Sequence, residues 1–219
     1  AGRRPPKAFD EMPSEASDVV IAGFGRVGQV VGRLLLARGI RFTALDADAG
    51  QVETVRKFGF KVFYGDAAHL DLLHAAQVGE AKVFVLAIDD VQASLRTAEL
   101  VKKHFPHVQI VARARNRFHA SRLMDMGIER QIREALPSSL EMARWTLELL
   151  HEPPALVDQM VTRFARHDAE VLARQQAIDH DEGKLIQSSR EAREELAQIL
   201  EEAREAFAKK ERPAKVAGA

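Results

Sequence analysis

Gly23, Gly25 and Gly28 form a G-x-G-x-x-G pattern between the apolar run Val19–Ala22 and an amphipathic stretch that continues to Arg38. A glycine turn at that place lets the backbone come close to an anion. The helix that follows offers free N–H groups and the positive end of its dipole to phosphate oxygen. Arg26 and Val27 lie inside the loop, and Arg26 adds a cation there. Asp46 ends the second apolar run, with Asp48 just beyond it. A carboxylate at the end of that run accepts hydrogen bonds from ribose hydroxyls and repels a 2′-phosphate. The expected ligand is therefore of the adenosine type, or NAD(H) in preference to NADP(H). Asp66-Ala67 and Ile88-Asp89-Asp90 end the next two runs. Asp66 is placed for an adenine edge or a ribose and also suits a helix cap, and at least one of Asp89 and Asp90 is expected only to cap the next helix.

The stretch 113–133 gathers six arginines, Arg113, Arg115, Arg117, Arg122, Arg130 and Arg133, against Asp125 and Glu129. A guanidinium fork suits carboxylate and phosphate. The whole chain balances 32 Lys and Arg against 32 Asp and Glu. A positive rim on a neutral protein points to a small anion rather than to nucleic acid, whose binders carry a basic excess. The chain has no Cys, so disulfides, thiolate metal sites and cysteine nucleophiles are excluded. The eight His are scattered without a metal spacing. No H-E-x-x-H, G-x-S-x-G or Walker lysine is present. No catalytic set is expected, and the charged stretch after Pro154 does not suit the substrate lobe of a dehydrogenase. No apolar run approaches the ~18 residues that cross a bilayer.

These residues need a scaffold, and the hydrophobic pattern supplies one. Short β-branched runs at Val19–Ala22, Arg41–Leu45, Lys61–Tyr64, Lys82–Ile88 and Val108–Arg113 alternate with helical stretches, with a possible sixth run over Gly127–Arg133. Gly39 and Gly59 mark helix stops, and Pro106 ends the helix that starts near Val91. Alternation of this kind predicts an α/β fold with a doubly wound, mostly parallel sheet and a helical extension after it. Residues 1–18, with three prolines, read as a linker arm; 19–150 as the nucleotide-binding domain; 151–219 as a helical regulatory or dimerisation extension.

In the extension, Val157, Met160, Val161, Phe164, Val171 and Leu172 share a helical face, with Asp168 in the same stripe. A carboxylate there must stay wet or find a cation or a ligand amine. Leu185, Ser189, Ala192, Leu196, Ile199, Ala203 and Phe207 follow a 4-3-4-3 spacing, a helix-packing seam. The last residues read as a frayed tail.

The strings VVIAGFGRVGQVVGRLLLARGI, RKFGFKVFYGDA, AIDD, HFPHVQIVARAR and GIERQIRE together resemble the cytosolic nucleotide-binding domain, called KTN or RCK, of Kef-type glutathione-gated potassium efflux systems. The likeness is strong over 19–150 and looser to about residue 205. It implies a Rossmann fold on the cytoplasmic face of the bacterial inner membrane, a homodimer, and a membrane antiporter domain in the same chain. It also implies AMP or NAD(H) in the cleft, glutathione as effector, and an ancillary oxidoreductase subunit as a possible partner. By motif match, Phe58 would be the aromatic residue displaced by a glutathione adduct. Arg133, Asn116 and Asp168 would meet the charged ends of the peptide, and Arg33 would lie near the dimer interface. Asn116 stands where an Asp is usual, and Asp168 where the glutathione-gated form carries Asn. An NAD-dependent oxidoreductase and a free-standing, TrkA-like uptake subunit are the alternatives.

Overall fold

The structure is a computed structural model that describes residues 9–176, 178 and 182–211. The first eight residues of the expected arm and the tail from 212 onward lie outside the described residues. The compact units part between Glu134 and Ala135.

The first unit is a six-stranded sheet in the order β3-β2-β1-β4-β5-β6, with every pairing parallel. Its strands are β1 (Val19–Ala22), β2 (Phe42–Asp46), β3 (Val62–Tyr64), β4 (Val83–Leu86), β5 (Gln109–Ala114) and β6 (Gln131–Arg133). Helices α1 (Arg26–Ala37), α2 (Ala49–Lys57), α3 (Leu70–Ala75), α4 (Val91–His104) and α5 (Arg117–Asp125) connect them, with a short 3-10 turn at Val78–Glu80. The expected doubly wound Rossmann architecture is borne out, and the sixth strand is present. β1 lies at the centre, and all four of its residues are buried, which is why its sequence is continuously apolar.

The order reverses between β1 and β4, so the carboxyl ends of these strands open a crevice. The core beside it contains the ring of Phe24, the residue between the first two glycines of the loop. It is fully buried, 5.9 Å from the Phe42 ring and 5.4 Å from the Phe60 ring. Each such pair contributes about 0.5–1.5 kcal/mol beyond its burial. The glycine loop is thereby anchored in the core by its own aromatic residue.

The part of the arm within the described residues lies along the sheet. The Asp10 N–H donates to Tyr64 O at 3.0 Å, Gln77 Nε2 donates to Pro13 O at 3.0 Å, and the Lys82 N–H donates to Asp18 O at 2.8 Å. Prolines and mixed charge pointed to a linker. The ties that dock it are isolated side-chain and backbone bonds, which leave no periodic trace.

The second unit holds helices α6 (Ala135–Leu149), α7 (Pro154–Gln176) and α8 (Glu182–Glu211). α6 groups with this unit, so the compact division falls before that helix and not after residue 150. α7 packs on α8, burying Leu156, Val157, Val171 and Leu172 on one and Ala192 and Ala203 on the other. The 4-3-4-3 seam thus turns its small residues toward a helix of its own chain. His167, only 6% exposed, shares Glu195 with Arg174: its Nε2 lies 3.1 Å from Oε2, and Arg174 donates at 2.6 and 3.1 Å. These bonds hold the Glu195 carboxyl at about 2, with the Arg174 bond contributing most.

Candidate functional site: a cleft at the carboxyl ends of the strands

The loop from β1 to α1 places the glycines. Gly23 has φ +88, and a Cβ there would lie 2.6 Å from the Ala87 carbonyl carbon, so only glycine fits between β1 and β4. A Cβ on Gly28 would meet Gly23 O at 2.2 Å, which fixes how closely α1 returns over its own loop. A Cβ on Gly25 would meet nothing within 4 Å. Gly25 is the N-cap residue of α1 and has no side chain to cap it, and no acid stands in the first turn of the helix. Open space in front of an uncapped helix start is the physical requirement of a phosphate cradle.

Asp46 ties this loop to the next one. Its Oδ2 accepts from the Phe24 N–H at 2.7 Å and its Oδ1 from the Asp48 N–H at 2.9 Å. Each oxygen keeps a second acceptor direction for a ribose hydroxyl. Asp48 caps α2 through the N–H groups of Gly50 and Gln51, at 2.8 and 3.1 Å. Asp66 accepts from the Ala68 N–H at 2.9 Å and so closes a turn, while the N-cap position of α3 falls to His69. Asp90 caps α4 through the Ala93 N–H at 2.7 Å, which leaves Asp89 as the acid turned to other partners.

Gly23, Gly25, Asp46, Asp48, Asp66, Ala67, Ile88, Asp89 and Arg113 come together as walls of one cleft of about 370 Å³. A second cavity of about 500 Å³ adjoins it and is lined by Arg26, Gln29, Thr54, Val55 and Phe58. Gly25, Gln51, Asp89 and Arg113 line both. Val27 and Gly28 form the first turn of α1 and line neither cavity. Phe58 caps the end of α2 and is 76% exposed.

The wall between the cavities is a charge cluster. Arg113 is 9% exposed and donates to Asp89 at 2.5 Å, to Ala87 O at 3.3 Å, and to Glu134, reached by Nε at 2.9 Å. Its Nη2 pairs with the same Glu134 carboxylate. Arg26 reaches Glu134 Oε1 at 3.3 Å and Arg115 reaches Asp89 at 3.0 Å. The Arg113 hydrogen bond holds the Asp89 carboxyl below its ordinary range, and the nearby charges of Arg113, Arg115 and Arg26 act the same way. One buried guanidinium, Arg113, and two exposed ones, Arg26 and Arg115, face the two carboxylates of Asp89 and Glu134 here, a one-charge positive excess beside a helix N-terminus.

Arg33, Asn116 and Arg133 are not among the residues lining either cavity. Arg33 is exposed on α1. Asn116 caps α5 by accepting from the His119 N–H at 2.9 Å. Arg133 is on β6, and burial together with the charge of Arg117 lowers its basicity. Asp168 is on α7, in the second unit. Three residues of the site were not foreseen. Glu134 closes the charge cluster, Gln51 bridges the two cavities and donates to Phe24 O at 3.3 Å, and Phe24 anchors the loop. Glu134 carried a faint signal, as the acid directly after Arg133. Among the described residues no group of His and acids is arranged to hold a metal ion, and no helix is long and apolar enough to cross a membrane.

A six-stranded parallel sheet with a glycine cradle at its switch point defines a Rossmann-type nucleotide-binding protein. Within that class the chain belongs to the TrkA-N domain family, which residues 19–134 match, and residues 138–214 match the potassium efflux system KefB C-terminal domain. It is 41% identical, over 196 residues and 90% of its length, to the glutathione-regulated potassium-efflux system protein KefC of Escherichia fergusonii. It spans 32% of that relative, about a third of the length of the curated proteins it matches. Among solved structures, a Shewanella denitrificans Kef CTD in AMP-bound form is 39% identical with a TM-score of 0.67, covering 73% of this chain and 98% of that one. The TrkA-N domain of the inner membrane protein ybaL from Escherichia coli is 25% identical with a TM-score of 0.53, covering 63% and 99%. The resemblance drawn from the sequence strings is borne out.

Proposed function

We propose that this chain is a regulatory rather than catalytic domain of a Kef-type potassium efflux system, with an adenosine nucleotide, AMP or NAD(H), in the cleft and glutathione or its adducts as effector. The observation that carries this reading is the shared wall: a nucleotide-sized cleft abuts a second cavity that contains Phe58. A KefC relative that is glutathione-regulated by name and a Kef neighbour bound to AMP support it. The same reading places the domain on the cytoplasmic face of the inner membrane, joined to an antiporter domain, with an ancillary oxidoreductase subunit as a further partner.

A ligand moves a two-state equilibrium only by binding the states unequally. An S-substituent that displaces the exposed Phe58 ring, while the peptide's charged ends stay on Arg133 and Asn116, supplies that inequality. Going from mostly closed to mostly open takes about 5.5 kcal/mol of differential affinity. Calorimetry with glutathione and with S-benzylglutathione, on the parent and on Phe58→Ala, tests the reading. The conjugate is expected to depend on Phe58 more than glutathione does. Binding of neither compound, or an equal effect of Phe58→Ala on both, overturns the gating role.

A further inference from the structure

We propose that α2 reports the occupancy of the cleft to the N-terminal arm through a latch between Asp10 and Arg56. The proposal rests on the nucleotide reading above and adds the route by which that site is read out.

One end of α2 belongs to the cleft. Asp48 caps it, and Gln51 holds the carbonyl of Phe24 inside the glycine loop. The other end grips the arm. Arg56 donates to Val62 O through Nε at 2.9 Å and Nη2 at 2.6 Å, and Nη2 also donates to Asp10 Oδ2 at 2.7 Å. The same Asp10 oxygen accepts from the Tyr64 N–H at 2.6 Å, and the Asp10 N–H donates to Tyr64 O. The arm is therefore joined to β3, the edge strand, through Asp10, the same residue that Arg56 holds. A nine-residue helix is a rod of about 13 Å, so a ligand that sets the position of Gln51 also sets that of Arg56.

The latch has the properties of a tunable contact. The side chains of Asp10 and Arg56 are 35% and 45% exposed, so opening needs little rearrangement of the core. Contacts of this kind occupy the low end of local unfolding energies. A clamp serving only stability would hold the arm equally with and without nucleotide; a latch on α2 holds it more tightly with nucleotide bound.

The test uses the whole 219-residue chain. Amide exchange at Asp10 and Tyr64 is followed by NMR with and without AMP, and AMP binding is measured by calorimetry. AMP is expected to slow both amides about fivefold, the low end of coupling between two sites. Because coupling is reciprocal, Asp10→Ala should bind AMP more weakly by the same factor, and Arg56→Lys, which keeps the charge and loses the fork, should fall between. AMP binding with unchanged exchange, or equal AMP affinity in Asp10→Ala, overturns the latch and leaves the nucleotide site standing. No binding of AMP to the parent overturns both.

Discussion

Asp46 holds two backbone N–H groups on two different loops, and the ribose of the expected ligand would be its third partner. Replacing it by Ala frees the loop and removes an ionic acceptor. Hydrogen bonds to a charged group contribute about 1.5–3 kcal/mol, so Asp46→Ala should weaken AMP roughly 10- to 100-fold in calorimetry. His119 makes a separate prediction. It is fully buried, its Nδ1 accepts from the Arg115 N–H at 3.2 Å, and its Nε2 lies 3.1 Å from Ser94 Oγ, so the neutral ring with hydrogen on Nε2 fits both contacts. Burial first, and then the charge of Arg113, depress its pKa. The unfolded chain therefore binds this proton more readily, and stability falls as pH drops below about 6.5. Urea unfolding of the parent between neutral pH and mild acid should show that loss, and His119→Gln should show a shallower slope over the same range.

Helix α1 is positioned by close approach. Gly28→Ala puts a methyl 2.2 Å from the Gly23 carbonyl, a backbone atom that cannot turn away. A cost of about 3 kcal/mol, or a loop pushed out of its cradle, should appear as a lowered Tm together with lost AMP binding. In the second unit, Glu195 joins α8 to two residues of α7, and its folded pKa of about 2 lies below the ordinary value of 4.5. Its contribution is present above that ordinary value and fades as pH falls toward the folded one. Glu195→Gln should lower the thermal midpoint at neutral pH and converge with the parent in strong acid. At this scale the sequence reads well where neighbours in the chain decide the outcome. Val19–Ala22 is apolar, buried and ended by glycine, and its bounds agree. Asp90 is a cap that acts within three residues. The arm and the charge cluster read poorly, because Asp10 meets Arg56 and Arg113 meets Glu134 only after β3 and β6 have joined the sheet. Gln51 leaves no trace for the same reason: its amide reaches a loop 27 residues away.

At the scale of the whole molecule, α1 presents Val30 at 48% and Leu34 at 68% exposure, one helical turn apart and beside Arg33. Paired apolar residues of this kind fit the self-complementary contact of a two-fold dimer. We expect light scattering to give a dimer for the parent and a monomer for Leu34→Asp, with an unchanged circular dichroism spectrum. The relatives matched are about three times longer than this chain. The proposed regulation depends on the cleft beside Gly25 taking an adenosine phosphate. A crystal structure determined with AMP tests this most directly. Phosphate oxygens are expected at the N–H groups that open α1, and a ribose hydroxyl on Asp46. Clear density for AMP anywhere else, or saturating AMP with nothing bound beside Gly25, contradicts it.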